Sequence, residues 1–154
     1  MRILMLGNSF TAANDLPQRL AQLTGAEVAA HTRGGARLAE QLNPKTKLGA
    51  KTLVALEGEP WDFVILQEMS HGPISSPQSF FTSAKRLCEW IHAKGATPVL
   101  FATWAYEKGG AKLAAKGWNY EDMARQLSAT YRQAARENHA LLAEVGQRFY
   151  DLSP

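Results

Sequence analysis

Ile3-Leu4-Met5-Leu6-Gly7-Asn8-Ser9-Phe10-Thr11 is the stretch on which the fold turns. Four apolar residues in a row, without alternation, fit a strand buried on both faces, as in a parallel sheet. Gly7 closes the run, and polar residues follow at once. The next signal is a helix start at Asn14-Asp15-Leu16-Pro17, with Leu16, Leu20 and Leu23 at helical spacing and Gly25 where a C-terminal cap belongs. Glu27 to His31 reads as a second, weaker strand, and Gly34-Gly35 breaks the chain after it. Ala36–Leu42 and Ala50–Leu56 are short helical pieces separated by Asn43-Pro44.

Phe63-Val64-Ile65-Leu66 is the clearest buried strand. Ser76 and Pro77 then open a helix whose face is Phe80, Ala84, Leu87, Cys88 and Ile91, ending at Lys94-Gly95. Val99 to Ala102 forms a fourth strand. Glu107 to Gly117, with three lysines and several glycines, reads as a mobile, solvated excursion. Asn119 caps a long helix with Tyr120, Met123, Leu127, Tyr131 and Ala134 on one face, and Leu141–Val145 is a fifth strand. Strands alternating with helices imply right-handed crossovers and a parallel sheet covered on both sides. Five strands suggest a flavodoxin-like three-layer α/β/α sandwich, order 2-1-3-4-5, with ligands bound beyond the carboxyl ends of the strands at the switch point between strands one and three.

The 154 residues make one domain's worth of chain, and 45% apolar with 20% charged residues is a globular composition. A net charge of +3, scattered, argues against a nucleic-acid partner. The lone Cys88 excludes an internal disulfide and a multi-cysteine zinc cluster. No apolar run approaches the ~20 residues that cross a bilayer, and the N-terminal stretch is too short for a signal-peptide core. The chain therefore reads as cytoplasmic with no membrane partner; a chain whose leader had been removed would read the same way.

Three segments should meet at the switch point: Gly7-Asn8-Ser9-Phe10-Thr11, Arg33-Gly34-Gly35-Ala36 and Gln67-Glu68-Met69-Ser70-His71. They offer a hydroxyl at a tight strand-to-helix turn, a glycine with a bare backbone N–H and a carboxamide. Those are the parts of an acyl-transfer site: a nucleophile and donors for a developing oxyanion. Asn8, Glu68 and Trp104 stand nearby as substrate-pocket candidates. Trp104 and Tyr106 follow the fourth strand, where they would stack on a sugar ring, line an acyl pocket or pack under the lysine-rich excursion.

In order and spacing these residues resemble the SGNH (GDSL-type) hydrolases. Gly7-Asn8-Ser9-Phe10 is similar to the first block, Gly35 to the second-block glycine, and Trp61 to Glu68 lies where the third block falls. The resemblance implies ester hydrolysis with Ser9 as nucleophile. The oxyanion hole would be the Ser9 and Gly35 amides and the Gln67 carboxamide. It implies no metal or organic cofactor, and a small ester or acetylated carbohydrate as substrate.

Three departures from the pattern stand out. Asn8 replaces the usual Asp, as in one Gly-Asn-Ser-Phe-Thr branch. Gln67 replaces the usual Asn. The family's Asp-x-x-His block after the fifth strand has no counterpart, because no His follows His139 and the nearest acid is Asp151. Three explanations are open: a C-terminally truncated piece of a longer hydrolase, a catalytically inactive ligand-binding domain of the same fold, or a substitute base, for which His71 is the best candidate. Truncation predicts an exposed apolar sheet face, which a second copy in a homo-oligomer could cover. A phosphate or flavin role on the glycine-rich turns lacks a Walker or Gly-x-Gly-x-x-Gly pattern. His31 reads as the cap of the second strand, facing solvent or the sheet edge, His92 and His139 as surface residues, Trp61 and Trp118 as packing residues and Cys88 as a buried structural thiol.

Overall fold

A computed structural model describes residues 1–12 and 15–145. Five strands, β1 (Arg2–Gly7), β2 (Glu27–Thr32), β3 (Phe63–Leu66), β4 (Thr97–Phe101) and β5 (Leu141–Ala143), form one sheet in the order β2-β1-β3-β4-β5. Every pairing is parallel. Leu6 pairs with His31 on one side and Leu66 on the other, so the segments leaving β1, β2 and β3 emerge side by side.

The unalternated run in β1 is explained by its two environments. Leu4 and Leu6 enter the larger core with Leu38, Leu56, Val64, Leu66, Phe80, Leu87, Leu100 and Tyr131. Ile3 and Met5 point the other way, onto Leu16 and Leu20 of α2 (Leu16–Thr24). Truncating one of the fully buried leucines to Ala would cost roughly 2–5 kcal/mol. Phe63, Ile65 and Val99, on this second face, are only half-buried.

The larger core lies under α4 (Lys47–Gly58), α6 (Pro77–Ala93) and α8 (Tyr120–Glu137). The expected apolar face of α6 is buried throughout. Asn119 caps α8 by accepting the Asp122 N–H at 3.1 Å, and Gly25 closes α2 at φ 70°. Ser76 precedes α6 but makes no capping bond; its hydroxyl instead accepts from Arg37 Nη1 at 3.2 Å.

Two short stretches outside the expected helices are helical. Gly72–Ser75 forms the single turn α5. Ala111–Lys116 forms α7, correcting the expectation of a solvated excursion. Leu113 is the reason: it is buried in a small cluster with Ala105, Met123 and Leu127, which pins the segment to α8. Among the described residues no helix is long and apolar enough to cross a membrane.

Candidate functional site

Ser9 begins α1 (Ser9–Ala12), a single helical turn directly beyond β1, and is exposed. The turn forms because the Asn8 carbonyl accepts the N–H groups of Thr11 and Ala12, at 3.1 and 3.2 Å. The Asn8 side chain reinforces it: Oδ1 accepts the Phe10 N–H at 3.1 Å, in the manner of an Asx turn. Asn8 Nδ2 reaches across to the Ala36 carbonyl at 3.3 Å and the Glu68 carbonyl at 3.0 Å. One carboxamide therefore joins all three segments that the sequence brings to this edge.

Beneath Ser9 lies a buried polar floor. Asn8, Thr11, Gln67 and Glu68 are 3%, 1%, 1% and 2% exposed, so each must find its hydrogen bonds within the protein. Gln67 Nε2 donates to Asn8 Oδ1 at 2.8 Å, and Gln67 Oε1 accepts from the Thr11 hydroxyl. Gly7 leaves room for this: a Cβ there would stand 2.2 Å from Thr11 Oγ1 and 2.9 Å from Gln67 Oε1. Gln67 thus lies inside, spending its amide on Asn8 and Thr11.

Gly35 is exposed at the turn after β2, with φ 72°, a left-handed conformation that favours glycine. Glu68 occupies the floor on the β3 side. Its Oε1 accepts the N–H of Met69 at 2.7 Å and of Leu38 at 3.2 Å, while its own N–H donates to the Tyr131 hydroxyl at 3.2 Å. Burial raises the Glu68 pKa above the ordinary carboxylate value; the Met69 and Leu38 N–H groups and the Arg37 charge oppose that. Burial also raises the Tyr131 pKa, so its phenol stays protonated.

Next to the serine turn opens a cavity of about 780 Å³, lined by Phe10, Trp104, Tyr106, Tyr120, Glu107 and Lys112 among others. Phe10 stacks on Trp104 with ring centroids 4.5 Å apart. Lys112 Nζ stands 5.3 Å from the Tyr106 ring centre, and Lys108 pairs with Glu121 at 3.1 Å. Of the pocket candidates only Trp104 lines this cavity. Asn8 and Glu68 do not, because both side chains are turned down into the floor to satisfy backbone groups.

His71 precedes α5, with Nδ1 2.6 Å from Ser75 Oγ and its ring edge-on to Trp118 at 5.8 Å. Burial, then the Lys116 and Arg37 charges, lower its pKa, which favours neutral imidazole at pH 7. His71 is not among the residues lining the cavity. Asp151 lies outside the described residues. Among the described residues no group of three or more His, Cys, Asp or Glu is placed to hold a metal ion.

Phe10, Thr11 and Tyr131 contribute to the site without having been singled out from sequence. Thr11 had a usable signal, two residues beyond Ser9 on the same turn. Tyr131 had none: its hydroxyl meets Glu68 across 63 positions of chain. His31 is half-buried on β2, an edge strand of the sheet, and burial lowers its pKa. Cys88 is buried as expected, and that burial pushes its thiol pKa up to about 12.

Fold and rim define a class: a three-layer α/β protein with an exposed serine turn at the switch point of a parallel sheet. Comparison with solved structures makes the class specific. A protein of Slackia heliotrinireducens assigned to the SGNH hydrolases is 52% identical over 99% of this chain and 83% of its own, with a TM-score of 0.96. The chain belongs to the SGNH hydrolase family. The fold is shared more distantly with an acetylxylan esterase of Geobacillus stearothermophilus, 12% identical over 98% of this chain and 78% of that one, TM-score 0.67. It is shared also with the esterase EstA of a Pseudoalteromonas species, 14% identical over 92% and 75%, TM-score 0.62. No family model and no curated protein matches the chain.

Proposed function

We propose that the protein hydrolyses esters through a covalent acyl-serine on Ser9. The observation that carries the reading is the exposed Ser9 hydroxyl on a turn braced from below by Asn8, whose side chain also ties the segments bearing Gly35 and Glu68. In the first half-reaction Ser9 Oγ attacks the ester carbonyl and a base takes its proton. The C–O bond to the alcohol breaks, and the alcohol leaves with that proton. Water then adds to the acyl-serine, freeing the acid and restoring the hydroxyl. On this reading the Ser9 and Gly35 amides donate to the developing oxyanion. Gln67 serves them from behind, by holding Asn8.

The candidate base is His71, the imidazole that the sequence places just beyond β3. The aromatic cavity beside Ser9 takes the substrate, and an acetylated carbohydrate suits its Phe10–Trp104 wall, since sugar rings stack on aromatic faces. A p-nitrophenyl acetate assay and a fluorophosphonate probe, run beside Ser9→Ala, test the proposal. Turnover and labelling are expected in the parent chain, with a loss on the order of 10³-fold or more in Ser9→Ala. Equal background in both would leave a ligand-binding domain of the same fold instead. His71→Ala with unchanged activity would exclude His71 as base.

A further inference from the structure

We infer that Glu68 is a positioning residue, which fixes the loop carrying Gly35 against the serine turn; the inference rests on the ester-hydrolase reading above. Two separate ties carry it. Glu68 Oε1 accepts the N–H of Leu38 at 3.2 Å, at the start of a short helix, α3 (Leu38–Gln41), whose own preceding residue, Arg37, makes no capping bond. The Glu68 carbonyl accepts Asn8 Nδ2 at 3.0 Å, and that same nitrogen holds the Ala36 carbonyl at 3.3 Å. The backbone after Gly35 is therefore pinned at Ala36 and again at Leu38, with only Arg37 between. Asn8, which links the pins, is the immediate neighbour of Ser9.

Oxyanion donors help only when they are already in place at the moment of reaction, and a displacement of about 1 Å costs roughly 10²-fold in rate. A buried carboxylate is an expensive way to hold a loop unless its acceptor is needed. Space is reserved for it: a Cβ on Gly72 would come within 2.8 Å of Glu68 Cγ. Tyr131, itself fully buried, anchors the Glu68 backbone from α8, so the tie reaches a rigid part of the fold.

The experiment compares the parent chain with Glu68→Gln, Glu68→Leu and Gly72→Ala, reading the saturation kinetics of fluorophosphonate labelling at Ser9 and hydrogen exchange at the Leu38 amide. Glu68→Gln keeps an acceptor oxygen and is expected to label within about threefold of the parent, with Leu38 still protected. Glu68→Leu removes the acceptor and is expected to lower the maximal labelling rate by roughly 30-fold or more, at unchanged probe affinity, with faster Leu38 exchange. Gly72→Ala keeps the carboxylate but displaces it, and is expected to lie between the two; it decides the matter if Glu68→Leu does not fold. The inference is overturned if Gln and Leu are equally impaired, if Gly72→Ala matches the parent, or if Leu38 exchange is the same in every folded variant. A parent chain that never labels while Leu38 exchange follows the predicted order would sink the hydrolase reading and leave the tie itself standing.

Discussion

The floor under Ser9 and the wall of the cavity beside it are built on opposite principles. The floor is polar and dry: Asn8, Thr11, Gln67 and Glu68 are all but inaccessible to water and joined by hydrogen bonds to one another and to backbone. The wall is aromatic and wet: Phe10, Trp104, Tyr106 and Tyr120 are partly exposed, with lysines set against two of the rings. A buried polar network tolerates few substitutions because any orphaned partner keeps its desolvation cost. A half-exposed aromatic wall can be altered without unfolding the protein. On the proposed function, the contrast puts catalytic geometry in the floor and substrate choice in the wall.

The harshest test of that division is Gln67→Leu. It removes the acceptor of the buried Thr11 hydroxyl, stranding that group, and one of the two donors to Asn8 Oδ1, which keeps only the Phe10 N–H. We expect a loss of about 3 kcal/mol in denaturant unfolding and roughly 10²-fold in acetate-ester turnover. Wild-type stability would show that the floor is not a cooperative unit.

Gly7→Ala strikes the same floor by steric means. The new Cβ would press on Thr11 Oγ1, a short side chain on a fixed turn, with Gln67 Oε1 behind it. The expected loss is about 2 kcal/mol, read from thermal or urea unfolding. Pairing the substitution with Thr11→Gly should recover part of it, because the closest contact, with Thr11 Oγ1, is then gone. No recovery would mean that the strain lies in the strand rather than the network.

The two regions also differ in how far they could be read from the sequence. The sheet order was legible because strands buried on both faces write themselves as unbroken apolar runs, as Ile3–Leu6 and Phe63–Leu66 do. Ser9 and Gly35 were legible because a strand ending and a glycine break mark the rim directly. Gln67 and Glu68 follow the end of β3, as the sequence has them, but their orientation was hidden: alternation along a strand does not say whether the residue just past its end turns down to the core or out to solvent. Here unsatisfied backbone groups decide, and the Leu38 N–H that Glu68 accepts lies 30 positions away. The helix at Ala111–Lys116 was hidden for a related reason, since its lysines signal solvent while one residue, Leu113, docks it.

On the wall, effects should fall on substrate binding. Trp104→Ala removes the face stacked on Phe10 and is expected to raise KM about tenfold for an acetylated sugar while leaving kcat and the unfolding midpoint near the parent values. The rise should be smaller for p-nitrophenyl acetate, whose alcohol is not a sugar. A fall in kcat with unchanged KM would move Trp104 from the wall to the catalytic machinery and erase the distinction drawn here.

Lys112→Ala carries the smallest expected effect and sharpens the comparison most. Lys112 lies exposed against Tyr106, and the same cavity wall contains Glu107, while Lys108 is already paired with Glu121. Charges so balanced give little net field to attract an anion, and exposed pairs are weakened further by salt. A neutral acetylated carbohydrate should therefore bind with KM changed by less than about threefold in Lys112→Ala, and with no trend between low and moderate ionic strength. An anionic ester would behave differently, because the Lys112 ammonium stands against the Tyr106 ring on that wall, within reach of a bound anion. Its KM would climb on removal of the ammonium and climb in the parent chain as salt is added. Running the neutral and anionic esters side by side thus decides whether the lysines stacked on the tyrosines shape the wall or read the substrate's charge.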